Sequence, residues 1–574
     1  MKKGYVFLLL FYLMPLLLLA LVAWQLFFFN YHEFSAYLAA SLQKTDWEKF
    51  IQQRFTARAF GAARWAITAL SVLYLSAGVL LFLKRKIVVE KLEPIISYIL
   101  KKYREKKNEI FTMPRYARWL FIALLVFISA KGLWYIIYIP LQYDEVWTYN
   151  YYIGNSFWQS FLLPQNHIFF TAVAWFFHWL PVDPQISIRL PNLFAGLALT
   201  VIFFLFIKRN VSVKAALFSS YWLATCSPVV FYMLFARGYL FVLLFTVITL
   251  WVQLILLENK RIKLFGAVLL MAIVLGYWSN PVFMYPHATI GLTMICFLVF
   301  KKSRKQLWQN MLIHALSVFF VIILYLPTLL SSHIYDLMNV GIRHTFRPEF
   351  LWQTFYYNSW FIFGFNEGYY LLFLLIVLFI IFSLFQKRFN FLHGFVVMSF
   401  CVLFIYTFLQ SLALAGFITI FISVSIAVML SIILRGIELK TTLNKIIMIV
   451  MLAGTAAFNS YQAHHHHWLN WSVTYDQSAK NVAQLMLEKN INSCYLTVNY
   501  YKPHLEYYFK IKGKKLRLSL QDSVSQDFRE FHSNEQEVVI IRNTKPTKLD
   551  LQEYQQFFKD ETITAFIRKD IHID

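Results

Sequence analysis

Long apolar runs separated by short basic or polar breaks dominate the chain. A hydrocarbon core needs roughly 20 apolar residues per helix, and on that scale the pattern predicts about thirteen spans. They fall near residues 4–29, 65–84, 118–140, 190–207, 212–233, 238–257, 262–279, 283–300, 309–330, 369–386, 391–414, 417–434 and 444–460. The first run follows Lys2-Lys3. At about twice the length of a signal-peptide core, it reads as an anchor.

Beyond residue 460 the pattern changes. A helical stretch from Asp476 to Lys489 precedes the strand-like Cys494-Tyr495-Leu496-Thr497-Val498, then comes a helical Leu505 to Phe509 and a second strand-like run, Val538-Val539-Ile540-Ile541. The expected fold is a polytopic α-helical membrane protein ending in a small α/β domain. Residues 1–112 form an N-terminal two-helix unit with a basic linker, 113–460 an eleven-helix core, and 461–574 the α/β domain. No inverted repeat of the kind found in many transporters is evident.

Composition agrees, with 59% hydrophobic and 14% charged residues, including 59 Phe, 34 Tyr and 17 Trp. The net charge of +24 sits largely in short loops. Lys2-Lys3, Lys84 to Arg118, Lys208-Arg209, Lys260 to Lys263, Lys301 to Lys305, Lys387-Arg388 and Arg435 to Lys445 share one side if thirteen spans are counted. By the positive-inside rule that side is the cytoplasm. The N-terminus is then inside a bacterial inner membrane, and residues 30–64, 141–188, 331–368 and the chain beyond 460 are outside. Charge of this origin needs no nucleic acid. Cys226, Cys296, Cys401 and Cys494 lack paired spacing and read as packing residues.

Ionisable residues crowd the outer side, where membrane proteins place them for a purpose. Asp144 and Glu145 follow a span in Tyr143-Asp144-Glu145-Val146-Trp147-Thr148. Adjacent carboxylates diverge on a helix, so at most one faces a given cavity. There it could accept a proton from a hydroxyl; the alternative is a solvated helix end. Asn166-His167, Arg189-Leu190-Pro191-Asn192 and Phe235-Ala236-Arg237-Gly238-Tyr239 come next. Outer arginines run against the positive-inside rule and suit phosphate oxygens. The alternative is an ion pair with Asp144 or Glu145, or snorkelling to headgroups. Pro281 breaks the chain before His287, which reads as a packed polar residue rather than a ligand. Asp336, Arg343, His344, Arg347 and Glu349 precede the aromatic run Trp352 to Phe365, which fits a lid and an interfacial helix equally. His464 to His467 are too contiguous for a closed tetrahedral site and suggest adventitious metal affinity.

In this order and on this side, the Asp-Glu pair, Asn-His, Arg-Leu-Pro and Ala-Arg-Gly-Tyr resemble the GT-C superfamily over residues 118–460. The branch most similar is that of the protein O-mannosyltransferases and aminoarabinose transferases, with their dolichyl-phosphate-mannose-transferase-like bacterial members. The resemblance implies an inverting membrane glycosyltransferase that moves a sugar from a polyprenyl phosphate to a lipid, glycan or protein hydroxyl outside the cytoplasm. It implies Asp144 as catalytic base, with Glu145 positioning the acceptor or tuning the aspartate. Arg237 falls at the donor phosphate and Arg189 is a second candidate there. Asn166 and His167 line the cavity, to which Tyr239, His287 and Arg343 are assigned as well. No cofactor is required; a divalent metal on the two carboxylates is left open. The absence of a glycine-rich nucleotide fingerprint is in keeping with a lipid-linked donor. Ala415-Gly416-Phe417-Ile418 departs from the family, many of whose members carry Arg-Tyr there. Competing readings are a polysaccharide polymerase or ligase with a lipid-diphosphate donor, a transporter, and a non-catalytic scaffold.

Overall fold

The computed structural model describes residues 26–41, 56–83, 113–154, 167–258, 262–331, 347–385, 390–436, 442–465, 472–520, 537–543 and 551–571, apart from 412, 417 and 498 and with 23 and 52 in addition. The N-terminal part contains α1 (Tyr31–Ser41) and α2 (Ala57–Leu83). The bundle begins with α3 (Arg115–Tyr138), the short α4 (Tyr143–Thr148) and a π-helical turn, Tyr149–Ile153. It continues with α5 (Ile168–His178), α6 (Pro184–Asn210), α7 (Val213–Thr225), α8 (Ser227–Leu234), α9 (Tyr239–Glu258), α10 (Ile262–Ser279), α11 (Met284–Phe300) and α12 (Arg304–Ser331). Its remaining helices are α13 (Glu349–Phe363), α14 (Gly368–Phe385), α15 (Phe391–Gln410), α16 (Ile422–Ile433) and α17 (Thr442–His465).

Among the described residues, eight helices are long and apolar enough to cross a membrane, or up to ten if each of two bent pairs is one span. Helices α5, α10 and α16 add shorter apolar segments. Every expected run after the first overlaps one of these helices, whereas the run at 4–29 and the basic linker lie largely outside the described residues. Capping fixes several helix starts. Asp183 accepts from the Gln185 amide at 2.7 Å with Pro184 opening α6, and the Asn390 side chain accepts from the Leu392 and His393 amides at the head of α15. The break at Cys226, which has extended backbone ahead of Pro228, bends α7 into α8 by 54°. At the end of α13, Gly364 adopts φ +82° and the chain turns 97° into α14, so the aromatic run is one arm of a sharply bent pair.

Helix α3 shows how the bundle meets lipid. Ala117, Phe121, Leu124, Ile128 and Tyr135 face inward at helical spacing, while Trp119, Ile122, Val126, Trp134 and Ile137 are exposed. Both faces are apolar, as a helix between protein and hydrocarbon requires.

The C-terminal region comprises α18 (Gln477–Glu488), β1 (Ser493–Leu496), α19 (Lys502–Ile511), β2 (Arg517–Leu520), β3 (Val538–Arg542), β4 (Tyr554–Lys559) and β5 (Ile563–Arg568). The strands form one sheet in the order β2-β1-β3-β5-β4. Strand β1 is parallel to both neighbours, pairing Cys494 with Leu518 and Val538, and β5 is antiparallel to β3 and β4. The two strand-like runs expected from sequence are thus adjacent central strands. Val482, Met486, Leu505 and Phe509 of α18 and α19 join the core.

Candidate active site

The site is built where α3 ends. A helix leaves its last carbonyls without partners in its own ladder. Here Gln185 Nε2 donates to the carbonyls of Ile136, Ile137 and Ile139 at 2.9–3.1 Å, and Arg189 donates to Ile139 and Pro140 at 2.6 and 2.8 Å. Both side chains come from the first turns of α6, so this helix pins the exit of the chain into α4.

The remaining Arg189 donors meet Glu145. Arg189 Nε reaches Oε1 at 2.8 Å and an Nη reaches Oε2 at 2.5 Å. Glu145 also accepts from the Gln142 amide at 2.9 Å and the Ala236 amide at 2.7 Å. Both side chains are fully buried, at 0% and 1% exposure. The sequence offered Arg189 as a phosphate ligand and Glu145 as a catalytic neighbour. In the structure the two pair with each other, and their remaining hydrogen bonds go to protein carbonyls and amides, the ion-pair arrangement weighed as the alternative. The carbonyls and amides around it satisfy both charges, the condition under which a buried pair is tolerated.

Asp144 points elsewhere, as two adjacent positions on a helix must. Its Oδ2 lies 2.8 Å from an Arg237 Nη, with 47% of the Asp144 side chain and 18% of the Arg237 side chain exposed. Arg237 Nε is buried and has no hydrogen-bond partner among the described residues. The arginine sits in a turn held by Asn192, whose side-chain amide donates to the carbonyls of Phe235 and Arg237. Gly238 is required in that turn because a Cβ there would collide with the Ser279 carbonyl oxygen at the end of α10. Tyr152, on the π-helical turn, is buried near Arg237, and burial pushes its phenol up to about 12 while the arginine charge pulls the other way. It therefore remains a neutral hydrogen-bond donor around neutral pH.

His167 belongs to this surrounding. Its Nδ1 is 3.0 Å from the Asn280 side-chain nitrogen and 3.1 Å from the Ser279 carbonyl, and its ring packs 5.0 Å from Tyr239, which lies 4.5 Å from Tyr232. His287 does not reach the cluster through these contacts. It joins a buried chain, Tyr277 to His287 to His314 to Gln253 to Asn310, that ties α9 through α12 together at 2.8–3.1 Å per link. Asn166 and Arg343 lie outside the described residues, as do His466 and His467. His464 is 3.4 Å from the Tyr135 hydroxyl, and no group of three metal-ligating side chains occurs among the described residues.

The C-terminal domain supplies contacts that no short motif announced. Tyr143, next to Asp144, stacks on Tyr500 at 4.9 Å. Asn150 Nδ2 donates to the Pro503 carbonyl at 2.8 Å. Behind them, fully buried Asp476 accepts from the Tyr500 hydroxyl at 2.7 Å and lies 3.0 Å from His504 Nε2, which in turn is 3.3 Å from the Leu141 carbonyl. The turn bearing Asp144 is therefore held between α6 and α19.

No protein-family model matches this chain, and no curated protein does. Solved structures do match. ArnT from Cupriavidus metallidurans, solved bound to undecaprenyl phosphate, is 11% identical with a TM-score of 0.51, over 78% of this chain and 97% of that one. Its apo form is 10% identical with the same score and coverage. The oligosaccharyltransferase of Archaeoglobus fulgidus in its apo form is 11% identical with a TM-score of 0.46, over 69% of this chain and 64% of that one. This polytopic helical chain with its small sheet domain shares the fold of the ArnT structures.

Proposed function

We propose that this chain is an inverting glycosyltransferase that moves a sugar from a polyprenyl-phosphate donor to an acceptor hydroxyl at the outer face of a bacterial cytoplasmic membrane. The observation that carries this reading is the half-exposed Asp144 paired with Arg237 beside a second, closed carboxylate–arginine pair. Support comes from the ArnT fold and from the undecaprenyl phosphate bound in one ArnT structure. On this reading residues 1–112 are an accessory unit, 113–460 the catalytic core and 461–574 an extracytoplasmic domain.

The chemistry follows from the charges. An incoming donor phosphate competes with Asp144 for Arg237, whose unpartnered Nε–H gains an acceptor. Freed from its ion pair, the Asp144 carboxylate takes the proton of the acceptor hydroxyl as that oxygen attacks the anomeric carbon. The bond from that carbon to the phosphate oxygen breaks on the opposite face, the configuration inverts, and the electron pair leaves on the polyprenyl phosphate. Arg237 and the neutral Tyr152 hydroxyl stabilise the charge that develops there.

The deciding experiment incubates the purified protein in lipid with radiolabelled polyprenyl-phosphate sugars and envelope extract. Asp144→Asn folds normally and loses about 10² to 10⁴ in transfer rate, the usual worth of general-base help. Arg237→Ala weakens donor use instead. Full turnover in a well-folded Asp144→Asn protein rejects the base assignment, and failure of wild type to consume any donor rejects the reaction.

A further inference from the structure

The turn bearing Asp144 also carries a row of aromatic rings. Tyr143, Trp147 and Tyr151 follow one another at four-residue spacing along α4 and the π-helical turn, which lines them up on one side. The Trp147 and Tyr151 ring centroids are 4.2 Å apart and those of Tyr143 and Trp147 6.1 Å, and Tyr500 of the C-terminal domain extends the row by stacking on Tyr143 at 4.9 Å. Trp147 comes three positions after Asp144, so the two are neighbours on the helix surface. Tyr151 is buried beneath the row, whereas Tyr143, Trp147 and Tyr500 are partly exposed.

Charge is set beside these rings. Glu506, on α19, pairs with Lys502 at 3.7 Å, and the two side chains are 25% and 29% exposed. The carboxylate is felt along the row: burial pushes the phenols of Tyr143 and Tyr151 up and the Glu506 charge pushes both further, with Asp144 adding to the effect at Tyr143. The proposed transfer step uses none of Trp147, Tyr500, Lys502 and Glu506. Arg237 reaches Asp144 from the turn between α8 and α9, while the ring row joins the Asp144 turn to the C-terminal domain.

We propose that this row is the subsite for a carbohydrate acceptor, with the Trp147 and Tyr143 rings against the C–H face of a sugar and the Glu506 carboxylate accepting from its hydroxyls. This rests on the transferase reading and deepens it by naming the acceptor class, since one hydroxyl of that sugar would lie at Asp144. Flat rings bordered by a few charged groups suit a ligand that is apolar on its face and polar round its edge. A pyranose is such a ligand. An acyl chain laid here would strip water from Glu506 and Lys502 and return no hydrogen bond. An extended peptide is held by pairing with a strand edge, and the row is flanked by helices.

The test has a binding arm and a kinetic arm. Full-length protein in nanodiscs is applied to a printed array of bacterial oligosaccharides, with peptides and phospholipids printed beside them. Wild type is retained on oligosaccharides, Trp147→Ala and Glu506→Gln weaken that retention about tenfold, and Trp147→Phe keeps most of it. The array reads binding without turnover, so failure of the transferase reading leaves this arm standing, and Asp144→Asn matches wild type on it. In the transfer assay the same two variants raise the acceptor KM about tenfold and leave the donor KM within about twofold. Glu506→Gln melts close to wild type, which separates lost binding from lost folding. Absence of oligosaccharide retention, or retention unchanged in both variants, overturns the subsite. Peptide or phospholipid retention with the same dependence on Trp147 overturns the carbohydrate assignment, and a raised donor KM with an unchanged acceptor KM overturns the acceptor assignment.

Discussion

At Glu145 one carboxylate accepts hydrogen bonds from Arg189, Gln142 and Ala236 in a fully buried setting. Removing its charge strands the guanidinium, so Glu145→Gln costs about 3–5 kcal/mol of stability. Thermal melting in detergent reads that loss, while Asp144→Asn, half-exposed one residue earlier, melts close to wild type. The contrast was partly legible: adjacent carboxylates on a helix had to diverge, but which one faced inward depended on where α6 lay. Gly238→Ala tests the neighbouring turn. A Cβ forced against the Ser279 carbonyl displaces Arg237, and the expected result is a raised donor KM with secondary structure intact by circular dichroism.

Among elements, α19 and the π-helical turn carry information that the apolar pattern lacked. Helix α19 presents Tyr500, just ahead of it, and His504 to the Asp144 turn, and those residues are more than 350 positions distant in sequence. His504→Ala leaves buried Asp476 with one partner fewer and weakens docking by about 1–3 kcal/mol. Faster limited proteolysis between α17 and α18 with an unchanged melting transition of the bundle is the expected signature. Equal proteolysis would place the hold on the domain elsewhere. The π-helical turn arises inside a run of tyrosines whose spacing is compatible with an ordinary helix. The turn packs against α4, α5 and α19, and it carries Tyr152 within the influence of the Arg237 charge.

For the molecule as a whole, the exposed apolar side chains of α2, α3, α12 and α14 form the surface offered to lipid. The proposed orientation rests on the arrangement of basic loops. In a cysteine-free background, Lys559→Cys in the C-terminal sheet reacts with a membrane-impermeant thiol reagent in spheroplasts, and Lys302→Cys between α11 and α12 reacts only after permeabilisation. Reversed labelling would invert the orientation and put the Asp144 turn on the cytoplasmic side.

The sequence by itself determined the class and most of the helices, because apolar length is a local property and hydrocarbon imposes it on each span separately. It determined the central strands β1 and β3 by the same local logic, and it marked Asp144, Glu145, Arg189 and Arg237 through charge placed where charge is costly. Tertiary structure alone decided how these four pair. Arg189 closes on Glu145 and Arg237 on Asp144 because the start of α6 reaches the end of α3, while Asn192 and Gly238 seat the second arginine against α10. Partner choice among charges depends on distances of a few ångströms between segments remote in sequence, and periodicity holds no record of them.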